Sequence, residues 1–261
     1  MRSIVALAVV CLSVSAGRAA EEDLAKQLAN PIASLISVPI QANFDEGYGA
    51  ADGDVWRINI QPVLPFSLND DWNLISRTIL PVIDQTDVPV AGVSENGIGD
   101  TVQSLFFSPK EPSSSGWIWG VGPVLLLPTA SEDTLGAEQW GVGPTAVALK
   151  QEGPWTMGGL VNHIESVSGE DDRADVSATF LQPFLTYVTK TQTTLALNLE
   201  ATYDWEAEQW LVPVNVIASQ MVKLGPQIMQ FSVGGRYWAE SPEGGPEDWG
   251  LRLQAVFLYP R

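Results

Sequence analysis

The run 194–205, TLALNLEATYDW, alternates in its hydrophobicity. Leu195, Leu197, Leu199, Ala201, Tyr203 and Trp205 share one side of an extended chain, and Thr194, Ala196, Asn198, Glu200, Thr202 and Asp204 share the other. Successive side chains of a strand point to opposite faces, so this stretch has one greasy face and one polar, charged face. A soluble sandwich can use such a strand. A transmembrane barrel requires it, with lipid outside and water or a polar network inside. The apolar face ends in Tyr203 and Trp205, which suits a girdle where lipid meets water.

The pattern recurs. Strands are predicted over 34–44, 55–68, 72–83, 99–109, 117–128, 140–150, 155–167, 177–189, 193–205, 210–224, 228–240 and 249–259. Each is near the roughly 10 residues of an outer-membrane strand. Polar loops over 45–54, 84–98 and 129–139 alternate with short turns over 69–71, 110–116 and 151–154. Short turns on one side and longer loops on the other form the outer-membrane arrangement, and an even count returns both ends to the short-turn, periplasmic side. The loop 206–209 is too short for its side. The predicted fold class is all-β, an antiparallel up-and-down transmembrane β-barrel of about twelve strands.

Two sequence features qualify this reading. The motif WGVGP occurs twice, at 119–123 and 140–144, on consecutive strands. Pro39, Pro62, Pro65, Pro81, Pro123, Pro144, Pro183 and Pro213 fall inside predicted strands. Proline cannot donate to a ladder and normally sits at edges, strand starts or bulges. A closed barrel has no edges, so bulges or broken ladder bonds are expected at these positions.

The ends of the chain are read differently. Residues 1–19 form a signal peptide: Arg2 starts it, 4–14 is its apolar core, and Gly17-Arg18-Ala19 is a small-x-small cleavage site. The apolar core is short of the ~20 residues that span a bilayer. Residues 20–33 are expected as a short-helical periplasmic tail, the alternative being a segment that enters the barrel. Residues 34–261 form the outer-membrane barrel.

Composition agrees. Charged residues make up 17% of the chain, with 10 Trp, 23 Gly and 18 Pro, a mix that favours strands and turns over helices. Trp72, Trp117, Trp140, Trp155, Trp210 and Trp249 each open a predicted strand. The only cysteine, Cys11, lies in the signal peptide, so the exported chain carries no thiol into an oxidising compartment. The net charge is −18, which argues against nucleic acid, whose binding needs basic patches.

Four stretches carry a resemblance: 59–83, 108–130, 140–166 and 236–260. They resemble a family of outer-membrane β-barrel proteins assigned as transporters, of the phenol-degradation MetA-pathway type. The resemblance covers nearly the whole exported chain. It implies a barrel in a Gram-negative outer membrane, surrounded by lipid and lipopolysaccharide and inserted by the barrel-assembly machinery. It also implies passage of a small, aromatic or hydrophobic solute; the word aromatic rests on the family label alone. One departure is the terminus, Tyr259-Pro260-Arg261, where many outer-membrane proteins end in an aromatic residue.

The alternation puts charge on the inner face. Arg57 aligns with Asn59 and Gln61, Arg236 with Gln230 and Ser232, and Arg252 with Gln254. Arg77 is a further candidate for this basic wall, and Asn198, Glu200 and Asp204 make the candidate acidic wall. Walls of charge set pore selectivity. The expected function is therefore passive passage of small solutes through a polar constriction. The alternative is a non-conducting structural or adhesive barrel whose lumen is filled by salt bridges.

Other chemistry is poorly supplied. His163 is the only histidine, and no nucleophile elbow or oxyanion loop accompanies it. A rim position suits it better than a catalytic one. A His/Cys metal site is excluded by the same counts. Acidic runs such as Glu170-Asp171-Asp172 read as solvated loop. No cofactor is expected.

Overall fold

The structure is a computed structural model that describes residues 24–259; the signal peptide read over 1–19 lies outside the described residues. It contains β1 (Ile36–Tyr48), β2 (Gly53–Ile60, resumed as Val63–Ser67), β3 (Trp72–Thr86), β4 (Ser94–Ile98, resumed as Thr101–Pro109), β5 (Trp117–Leu127) and β6 (Gln139–Glu152). Then follow β7 (Trp155–Gly169), β8 (Ser177–Val188), β9 (Thr193–Leu199, resumed as Ala201–Asp204), β10 (Gln209–Leu224), β11 (Gln227–Glu240) and β12 (Trp249–Tyr259). Each pairs antiparallel with the next, and β12 pairs with β1 from Ile36 opposite Tyr259 to Phe44 opposite Leu251. The sheet is thus a closed barrel of twelve strands, as the alternation predicts. Several strands run further towards the long loops than expected: β1 continues to Tyr48, β3 to Thr86 and β7 to Gly169.

The outer surface explains the alternation. Ile40, Leu64, Phe107, Val121, Met157, Leu195, Leu197, Val216, Phe231, Val233 and Leu253 are exposed. A belt of this size is a liability in water and is at home in hydrocarbon. Aromatic pairs bound it at both ends. Trp72 meets Trp119 at 5.8 Å and Trp155 meets Tyr187 at 4.7 Å on the short-turn side. Phe44 meets Trp56 at 4.9 Å, Tyr203 meets Trp210 at 4.9 Å and Tyr237 meets Trp249 at 5.1 Å on the long-loop side. A few polar side chains face outward and satisfy one another: Thr78 donates to Gln103, which donates to Ser76. Among the described residues no helix is long and apolar enough to cross a membrane; this barrel crosses with strands.

The prolines shape the ladder in specific places. The three interruptions all face a proline on the neighbouring strand. Gln61 N–H donates to the Pro39 carbonyl, Gly99 N–H to Pro81 and Glu200 N–H to Pro213. Each of those prolines accepts but cannot return a bond, so the two-way exchange of an antiparallel ladder fails there. Pro213 also sits at a register shift in the β10–β11 pairing. The WGVGP repeats meet each other: Pro123 lies directly opposite Pro144. The pairings on their far sides skip these residues, from Ser104 to Phe107 along β4 and from Val142 to Thr145 along β6. A Cβ on Gly122 would run into the Leu105 carbonyl, and one on Gly143 into the His163 carbonyl. Glycine before each proline therefore lets the neighbouring strand close over the gap.

The interior is filled at both ends. Leu24–Ala33, expected as a tail ahead of the barrel, instead packs inside its short-turn end. Ala25, Ala33 and Leu35 bury against Val188, Met221, Val256 and Leu258, and Ile32 buries against Ile75, Phe106, Val147, Leu149 and Leu160. Gln151 donates to the Lys26 carbonyl at 2.8 Å and Asn73 to Ser34 Oγ at 2.8 Å. At the other end the β5–β6 loop turns inward, and Leu135 packs on Val55 and Ile83. Arg173 holds that loop: it pairs with Glu138 at 3.1 Å and donates to the carbonyls of Asp133 and Gly136.

Candidate functional site

The lumen holds a layer of charge towards its long-loop end. Antiparallel pairing sets it in one row: Arg57 on β2 lies opposite Asn43 on β1, which lies opposite Arg252 on β12. Paired residues of adjacent strands share a face, so all three point inward. Arg236 comes from β11 and lies opposite Asn215. Arg57, Arg252 and Arg236 thus come from strands β2, β12 and β11.

The expected acidic wall is different. Glu200 does not stand apart from the arginines. It reaches across the lumen from the interruption in β9 and forms a bidentate pair with Arg252, with Nη1 to Oε1 and Nη2 to Oε2 both at 2.8 Å. Arg252 Nε donates to Asn43 Oδ1 at 2.7 Å, and Gln182 donates to Glu200 at 3.4 Å. The Arg252 side chain is 2% exposed. Fork-to-fork geometry with a further bond from Nε is what helps a buried ion pair offset desolvation.

Asp204 takes no part in this layer. It sits at the end of β9, where its Oδ1 accepts the N–H groups of Glu206 and Ala207. It shapes the turn that was too short for its side, because a side chain that mimics a turn bond lets the chain reverse in few residues.

Three participants were not singled out from the sequence. Asp45 was placed in a loop, yet β1 extends through it. It is buried, accepts from Trp238 Nε1 at 3.0 Å and pairs with Arg236 Nε at 3.5 Å. The Arg236 guanidinium lies 4.4 Å from the Trp238 ring centroid, within cation–π range. Asn43 and Trp238 carry no charge, and neither was grouped with a charged residue on its strand, as Asn59 and Gln61 were with Arg57. Extending the alternation of β1 by one residue pair would have found Asp45.

Between this layer and the N-terminal segment lies a cavity of about 530 Å³. Asn59, Gln61, Arg77, Asn198 and Gln254 border it, together with Glu200 and Arg252. Arg77 donates to Gln61 Oε1 at 3.1 Å. Its other side carries Leu28, Pro31 and Leu35 of the inserted segment, and Phe180 and Phe184 of β8 line the wall. Thr186 Oγ1, Thr194 Oγ1 and Asn198 Oδ1 are buried beside it with no hydrogen-bond partner among the described residues.

The comparisons agree with this geometry. No protein-family model matches the chain. No curated protein matches it either. Its fold is that of solved outer-membrane barrels. An outer membrane channel from Pseudomonas putida F1 superposes with a TM-score of 0.65 at 18% identity, covering 86% of this chain and 94% of that one. The outer membrane phospholipase of Salmonella typhi, a dimer with bound calcium, gives 0.51 at 12% identity, covering 89% and 97%. At these identities the likeness is one of fold.

His163 lies on the outer surface. Its Nδ1 is 2.9 Å from Thr179 Oγ1 and its Nε2 is 3.1 Å from Glu165. Trp205 Nε1 also donates to Thr179. This hydrogen-bonded cluster sits in the aromatic girdle on the long-loop side, apart from the lumen.

Proposed function

We propose that the protein is an outer-membrane channel of a Gram-negative bacterium that passes small solutes passively and is closed in the conformation described. The observation that carries this reading is the cavity of about 530 Å³ held between the inserted segment and the Arg252–Glu200 pair. A barrel built only as a scaffold has no need of a polar and apolar chamber in its centre. The channel from Pseudomonas putida is a likeness that supports it. On this reading the signal peptide over 1–19 directs export, the short turns face the periplasm, and outer-membrane lipid and lipopolysaccharide surround the belt. The barrel-assembly machinery inserts the chain. The solute is small, and its aromatic or hydrophobic character follows from the family resemblance alone.

Conductance in planar bilayers tests this. The full exported chain is expected to conduct rarely, and a variant lacking residues up to Ala33 to conduct steadily, with both showing the heat-modifiable gel migration of a folded barrel. A folded truncated variant that conducts nothing would support the second reading, a structural or adhesive barrel with a salt-bridged lumen. The bidentate Arg252–Glu200 pair is the observation that favours that alternative.

A further inference from the structure

The charged residues that border the cavity sum to one positive charge. Of the residues that border it, Arg77, Arg252 and Glu200 are charged. Glu200 bonds Arg252 twice at 2.8 Å and also lies within electrostatic reach of Arg77. Arg77 is left with one side-chain hydrogen bond among the described residues, to the neutral amide of Gln61. Ser104 lies opposite Arg77 on β4, and its other neighbours on the wall are apolar. Val63 lies opposite it on β2, and Ile79, two residues along β3, lies opposite Val102 on β4. Phe180 and Phe184 face the same space from β8, nearly opposite β3 in the ring. A guanidinium set among aliphatic and aromatic side chains is under-solvated, and a carboxylate is the group that matches its fork.

We propose that this cavity binds a small organic monocarboxylate with an apolar body. The carboxylate pairs with Arg77, and the body lies against Val63, Ile79, Val102, Phe180 and Phe184. A cation would add to the charge of Arg77. A dianion would bring its second charge towards Glu200. The inference deepens the channel reading by naming the class of solute, and it rests on that reading for transit though not for binding.

Calorimetric titration of the full exported chain in lipid nanodiscs tests it, with hexanoate, hexanol and hexylamine as probes of one shape and three charges. Hexanoate is expected to bind at least tenfold more tightly than hexylamine. Arg77→Met is expected to weaken hexanoate at least tenfold, and Arg77→Lys, which keeps the charge but loses the fork, to weaken it less. Equal binding of the three probes, no binding of hexanoate, or an unchanged affinity in a folded Arg77→Met barrel would each overturn the proposal. If Arg77→Met does not fold, the comparison of probes on the unaltered chain decides. Channel activity is read separately. Conductance without hexanoate binding overturns the ligand and leaves the channel; hexanoate binding without conductance upholds the site and overturns the channel.

Discussion

At the residue scale the Arg252–Glu200 pair is the clearest case of geometry deciding energy. Two charges withdrawn from water cost several kcal/mol each unless their bonds replace what water supplied. Here Arg252 spends all its side-chain nitrogens on Glu200 and Asn43. Removing one partner leaves the other buried and unpaired. Glu200→Gln is therefore expected to destabilise the barrel by about 3 kcal/mol, at the low end of the range for broken buried pairs, because the Glu200 side chain retains 16% exposure. Unfolding in urea from lipid vesicles measures this. Replacing both partners with Met is expected to recover most of the loss, since a hydrophobic pair of similar volume is often no less stable than the ions. A double replacement as unstable as the single one would show that the pair itself contributes net stability.

At the element scale the strands obey their outward faces and the prolines. Leu197 and Val216 are paired across β9 and β10 and both face lipid. Leu197→Arg is expected to cost about 2–4 kcal/mol, the penalty for a cation near the bilayer midplane, measured by the same unfolding in vesicles. The same substitution at the inward neighbour Ala196, which borders the cavity, places the charge among polar groups and is expected to cost less. The glycines of the WGVGP repeats are positions of close backbone approach. Gly122→Val puts its side chain where the Leu105 carbonyl lies, and the expected outcome is a barrel that loses heat-modifiable migration at a lower temperature. These elements were largely legible in sequence because period-2 alternation is a local property. The exact breaks were not, since each interruption depends on which residue of the next strand lies opposite it.

At the scale of the whole molecule charge is sorted by location. The chain carries a net −18, yet the lumen layer sets Arg57, Arg236 and Arg252 against Asp45 and Glu200, with Arg77 below it. The surplus acid lies elsewhere, much of it in loops. A barrel opened by loss of residues up to Ala33 is therefore expected to prefer anions, and Arg236→Ala to reduce that preference. Reversal potentials across a salt gradient measure both, and a cation-selective pore would show that the loops, rather than the lumen, set selectivity.

The sequence by itself determined the strand count, the lipid-facing set and the inward position of Arg57, Arg77, Glu200, Arg236 and Arg252. Alternation reads face directly, because each side chain follows from its neighbour's. Only the tertiary structure decided what those residues meet. Glu200 joins Arg252 because the curvature of the sheet turns β9 and β12, with two strands between them, towards one narrow lumen. Asp204 drops out because its carboxylate is used by the turn. Leu24–Ala33 enters the barrel because its apolar side chains find inward-facing Val188, Met221, Val256 and Leu258 at the short-turn end. No local pattern encodes that destination. Leu24 and Leu28 mark a helix with an apolar face, and the surface that buries it is assembled from strands more than 150 residues further along the chain.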